Sequence, residues 1–158
     1  MSSEHPCEMV AATQEPFPLT SRDATISLSI EKPTGPALQA QTAGRPRQVY
    51  LRVERVTGKG VPPGYEIYLH ATGEDHPGRR EELCAGVLPL FGLDKASRQG
   101  TGHAGTGLHY VFDVTELMAL LEREPGWDPK DLRVTFVPRR QAKPGTEIRV
   151  GRVSLYYE

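Results

Sequence analysis

The sequence predicts a mainly β protein: an antiparallel β-sandwich or jelly-roll-like barrel of about seven strands, with one short α-helix over residues 113–124. Three observations carry that expectation. Short segments in which apolar and polar residues alternate recur along the chain, as they do in strands with one face in a core. Gly (16 residues) and Pro (14 residues) stand mostly between those segments, where they turn one strand into the next. One segment alone departs from the strand period and takes up the spacing of an amphipathic helix.

The elements follow in order. Residues 1–23 have no period and carry Pro16 and Pro18 around Phe17, so they read as a linker-like N-terminal segment ahead of a β-sandwich domain over 24–158. Ala24–Ile30 places Ile26, Leu28 and Ile30 on one face. Residues 31–46 are rich in Pro, Gly and Ala and read as a mobile loop. Gln48–Val56 turns Val49, Leu51 and Val53 inward, and the Gly58–Gly64 region breaks it before Tyr65–His70 alternates again. A charged loop over 71–82 leads to the nearly all-apolar Leu83–Phe91, in which Gly86 and Pro89 predict a bulge or an edge position. Residues 92–107 form a long glycine-rich loop, and loops of that length in compact domains tend to be functional or mobile.

Leu108–Phe112 is the next strand. In Asp113–Glu124, Val114, Leu117, Met118 and Leu121 form an apolar helical stripe, with Asp113 as cap and Pro125-Gly126 as stop. Leu132–Val137 and Glu147–Tyr157 close the chain, with a bulge expected at Gly151.

Charge excludes some functions. A net charge of −1 gathers neither nucleic acid nor an anionic membrane, and the pairs Arg79-Arg80 and Arg139-Arg140 are too small for a phosphate track. Two cysteines, Cys7 and Cys84, make no disulfide framework. No signal peptide or membrane span is legible, so the expected location is cytoplasmic, or outside only in company with a partner.

Candidate chemistry is sparse. His5, His70, His76, His103 and His109 include no pair at helical ligand spacing, although His70, His103 and His109 could converge from loop and strand ends. Gly100–Gly107 has many glycines but no strand–loop–helix setting for a phosphate, leaving a hairpin tip or a partner contact. Tyr65, Tyr68, Tyr110, Phe112, Tyr156 and Tyr157 lie on strands, where an exposed platform for sugars would need several to face outward.

Four places in order resemble one family. They are Val49–Val56 followed by Tyr65–Leu69, the run Glu82–Leu88, the helix Val114–Leu121, and the closing pair Asp131–Arg139 and Ile148–Leu155. Together they resemble the β-rich, KFDV-like C-terminal domain of tyrosinases and polyphenol oxidases. The stretch Glu8–Leu19 is similar to the linker that precedes that domain.

The resemblance implies a non-catalytic module that packs over and shields or regulates a dicopper (type-3) oxidase site, in cis or in trans. Copper would sit in the partner catalytic domain, with no cofactor bound by this chain. The family's six-histidine helical site has no counterpart here, so no catalytic and no metal-binding residue carries over. A side chain of such a domain can fill the substrate position, and Leu90, Phe91, Leu93 and the nearby His103 are the candidates for a plug or partner contact. The alternative is a stand-alone β-sandwich that binds a carbohydrate or another small molecule.

Overall fold

A computed structural model describes residues 7–31, 48–71, 80–97 and 107–158. The loop expected at 31–46 lies outside the described residues from 32 on, as do most of the charged loop and the glycine-rich run with His103.

The described residues form two antiparallel sheets packed face to face, a β-sandwich. The strands are β1 (Glu8–Ala12), β2 (Phe17–Leu19), β3 (Ala24–Leu28), β4 (Val49–Lys59), β5 (Tyr65–His70), β6 (Cys84–Leu88), β7 (Leu108–Asp113), β8 (Leu132–Pro138) and β9 (Glu147–Tyr157). One sheet runs β1-β9-β4-β7, with β2 also paired to β9; the other runs β3-β8-β5-β6. No strand is shared between the two ladders, so the barrel alternative does not hold.

All seven strands read from alternation are present, because each offers one apolar face to the space between the sheets. Leu51, Val53, Val153 and Leu155 come from one side and Ile67, Leu69, Val134 and Phe136 from the other, all fully buried. Each such side chain contributes roughly 1.5–3 kcal/mol on leaving water.

The N-terminal stretch is not a connector. Glu8–Ala12 and Phe17–Leu19 both pair with β9, which raises the strand count from seven to nine among the described residues. Val10, Ala11 and Leu19 are buried, and the Phe17 ring packs on Phe136 with centroids 5.7 Å apart. The pattern hid this because a bulge between Met9 and Ala11 turns two consecutive residues inward. Pro18 sits in a three-residue strand at the edge, where a missing N–H does no harm.

Two further details differ from expectation. The helix is shorter, Thr115–Leu121 (α2), and a second helix of five residues, Leu93–Ser97 (α1), occupies the start of the expected glycine-rich loop. The bulge near Gly151 belongs to β4: Arg55, at φ 54°, is the extra residue opposite β7. Gly151 is glycine because an added Cβ would stand 2.6 Å from the Cβ of Arg55. The bulge or edge expected of Leu83–Phe91 is there in both forms. β6 is an edge strand, and the register skips Ala85 between Cys84 and Gly86.

Among the described residues, no helix is long and apolar enough to cross a membrane.

Candidate functional site

The chain leaves β6 through Pro89 and must turn sharply to start α1. Leu90 makes that turn at φ 62° and Gly92 continues it at φ 77°. A leucine in the left-handed region costs roughly 1–2 kcal/mol and needs something to hold it there. Burial does so: Leu90 is 1% exposed and Leu93 is 2% exposed, both inserted in the core. With Leu90 before it and Leu93 two residues on turned inward, Phe91 points outward and is 84% exposed.

Further contacts fix the turn. The Leu93 N–H donates to the Leu90 carbonyl at 3.3 Å, and the Ala96 N–H to the Gly92 carbonyl at 2.9 Å. The Leu90 N–H donates to the Tyr110 hydroxyl at 3.2 Å. At the far end of α1, the Ser97 hydroxyl donates to the Leu93 carbonyl at 2.7 Å and accepts the Gly58 N–H at 2.8 Å, tying the helix to β4.

Phe91 stands at an open cleft of about 1030 Å³ between this turn, the β4–β5 connection (Gly60–Gly64) and the end of β8. Its walls combine Val61, 47% exposed, and Pro62-Pro63 with the cations Lys95, Arg139 and Arg140. The Arg139 N–H donates to the Gly64 carbonyl at 3.0 Å, and the Arg140 guanidinium reaches the Pro62 carbonyl at 3.4 Å. The sequence marks Arg139-Arg140 only as a pair too small for a phosphate track. Their convergence with Phe91 needs the β5–β8 pairing, which joins segments some seventy residues apart.

The four residues expected to plug a partner site therefore separate. Leu90 and Leu93 are buried anchors in the core. Phe91 is the exposed member. His103 lies outside the described residues.

Of the three histidines that could converge, His103 lies outside the described residues, and His70 and His109 stand on different sheets. His70 is buried on the sheet of β5, where its Nε2 meets Thr135 Oγ1 at 2.7 Å. His109 is in β7 of the other sheet, and its Nδ1 accepts the Arg55 N–H at 3.4 Å. Among the described residues, no three His, Cys, Asp or Glu side chains are grouped to hold a metal ion. Cys84 is half-buried; burial pushes its thiol pKa up, away from nucleophilic reactivity.

Among the strand aromatics, Tyr156 is half-buried, with the Arg52 guanidinium 4.2 Å from its ring centroid. Tyr65, Tyr68 and Tyr157 are buried, and Tyr110 stacks on Phe112 at 6.4 Å, both half-buried. Burial pushes the Tyr65 hydroxyl up to about 12, and it donates to the Thr20 carbonyl at 2.8 Å.

A second cleft, of about 850 Å³, is lined by Gln48, Glu82, Cys84, Asp113, Thr115, Glu116, Leu117 and Leu120. It lies at the opposite end of both β4 and β6 from the first. Thr115 donates its N–H and its hydroxyl to Asp113 Oδ1, at 3.0 and 2.7 Å, and accepts the Val49 N–H at 3.0 Å. The two donations from Thr115 hold the Asp113 carboxyl below its ordinary pKa. The N-cap of α2 is Val114 and not Asp113 as expected; Asp113 stands one residue earlier and bonds to Thr115. Glu82 pairs with Arg80 at 2.9 Å, and Arg80 pairs in turn with Glu124 at 2.8 Å.

Comparison with known proteins gives this architecture a family. Residues 6–158 match the family described as "Domain of unknown function (DUF7868)". The chain belongs to that family. This DUF7868 domain is also 30% identical over 153 residues to tyrosinase HcTyr1 of Hahella sp. (strain CCB-MM4). That similarity takes in 96% of this chain and spans 32% of the length of the tyrosinase. The solved structure of latent apple tyrosinase is similar over 92% of this chain and 26% of that one, at 13% identity and a TM-score of 0.48. The chain is thus similar in sequence to about a third of a tyrosinase, in line with the resemblance read from its residues.

Proposed function

We propose that this domain is a non-catalytic cover for the dicopper site of a tyrosinase-type oxidase, in the same chain or a separate one, and that Phe91 is the side chain it inserts. The exposure of Phe91 on a fixed turn is the observation that carries this reading. Because the turn beneath the ring is already ordered, docking pays for fixing the side chain but not for ordering the backbone. The phenyl group has the shape of the ring that a phenol oxidase accepts, and filling that pocket excludes both substrate and water.

The kinship to a tyrosinase supplies the class of partner. Copper belongs to that partner, where it would activate dioxygen for phenol oxidation. The cleft supplies the rest of an interface: an apolar centre of Phe91, Val61 and the two prolines, with Lys95, Arg139 and Arg140 at its rim.

The test uses the Hahella tyrosinase with its matching segment removed, or another oxidase of this class lacking its own cover. Adding the present chain lowers the rate of phenol oxidation in a saturable manner. The Phe91→Ala variant folds normally and needs roughly tenfold more protein, or beyond, for the same suppression, as for loss of an interface anchor. If the unaltered chain neither binds nor slows the enzyme, the reading fails. Saturable binding of a sugar by the isolated chain would favour the carbohydrate alternative instead.

A further inference from the structure

We infer that Tyr110 is the positioning residue of the Phe91 turn: its hydroxyl holds Leu90 in the left-handed conformation and thereby aims the phenyl ring. The inference rests on the covering role proposed for Phe91 and adds the device that makes it rigid.

Leu90 follows β6, whereas Tyr110 is in β7, an edge strand of the other sheet. The 3.2 Å bond from the Leu90 N–H to the Tyr110 hydroxyl therefore spans the sandwich. Tyr110 is itself seated. Its ring lies nearly parallel to that of Phe112, at 13°, and Phe112 in turn fills the space beside Gly86. A Cβ on Gly86 would stand 2.6 Å from the Phe112 ring, so any larger residue there would displace the pair.

The chain of contacts runs from Gly86 through Phe112 and Tyr110 to the Leu90 amide, and ends one residue before Phe91. Removing the hydroxyl leaves a partly buried N–H without its acceptor at a leucine whose φ is unfavourable. Burial of the Leu90 side chain still anchors the turn, but its backbone is released to sample other angles.

Tyr110→Phe tests this, since it keeps the ring stack and deletes only the acceptor. Hydrogen exchange on the intact chain is the first readout. In the unaltered protein the Leu90 amide is protected. In Tyr110→Phe it exchanges faster by roughly two- to tenfold, the equivalent of one hydrogen bond, while amides in the centre of β4 and β9 keep their rates. A Leu90 amide that is unprotected in the unaltered protein, or unchanged in the variant, overturns the inference; the first of these needs no variant to fold.

Suppression of the oxidase is the second readout. Tyr110→Phe weakens it, but the double variant with Phe91→Ala is no weaker than Phe91→Ala alone, because Tyr110 acts only through Phe91. Additive losses overturn the positioning role and make Tyr110 a separate contact. Should Phe91→Ala leave suppression intact, the covering role of Phe91 falls, and the exchange data alone decide whether Tyr110 holds the turn.

Discussion

The two clefts at opposite ends of β4 are similar in size and opposite in how they use their polar groups. At the Thr115 end, the carboxylates serve the fold. Asp113 holds Thr115, Thr115 holds the first amide of β4, and Glu82 is paired with Arg80. At the Phe91 end, a large apolar ring is turned to solvent, and Lys95, Arg139 and Arg140 stand around it together with Asp94. The difference teaches where to look for a partner. Groups engaged within the chain stabilise it, whereas a ring exposed on a fixed turn is available to a second molecule.

Substitutions at each end can break or sharpen this contrast. The largest effect on stability is expected from Leu90→Ala, which empties a fully buried site and frees the turn. It costs about 2–5 kcal/mol in denaturant unfolding and also weakens suppression, because anchor and ring are adjacent. Phe91→Ala, in contrast, weakens suppression with little change in unfolding, since the ring has few partners within the chain.

A middle-sized effect is expected at the other end. Thr115→Val strips the Val49 N–H of its acceptor and Asp113 of its hydroxyl donor, at a cost of about 1–3 kcal/mol. Thr115→Ser restores most of it. Suppression by the folded protein is unchanged in both, and a loss of suppression in Thr115→Val would place the interface at the wrong end.

The smallest effect is a pH dependence confined to the acidic end. The Asp113 carboxyl has its folded pKa below the ordinary 3.8. Its contribution is therefore complete above that value and is lost as pH falls through the folded pKa. Asp113→Asn should lower stability at neutral pH, and the gap to the unaltered protein should close on acidification, as followed by chemical unfolding at several pH values.

Much of the fold was legible because burial between two sheets imposes a period of two. Seven strands announced themselves through residues such as Leu51, Val53, Ile67 and Val134. The two that did not are the ones in which a local rule is broken: β1 turns Val10 and Ala11 inward together at a bulge, and β2 is three residues long with a proline at its centre. Once paired with β9, the segment that resembled a linker becomes part of the sandwich. α1 was hidden among glycines, with only Leu93 and Ala96 at helical spacing to mark it.

The site was legible only as a neighbourhood. Leu90, Phe91 and Leu93 could be singled out as apolar residues beside a loop, but their sorting into two anchors and one exposed ring depends on the left-handed turn. A positive φ at a leucine has no sequence signature. Nor does the meeting of Tyr110 with Leu90, twenty residues apart and across the sandwich, or that of Arg139 and Arg140 with Phe91.

Photocrosslinking from the two ends tests the central claim most directly. A benzophenone side chain is placed in turn at Phe91 and at Glu116, and each protein is mixed with the copper-binding portion of the tyrosinase. The account predicts a crosslink from position 91 to residues at the substrate entrance, competed away by a phenolic inhibitor, and none from position 116. Crosslinking from 116 in preference to 91, or a crosslink from 91 remote from that entrance, would contradict it.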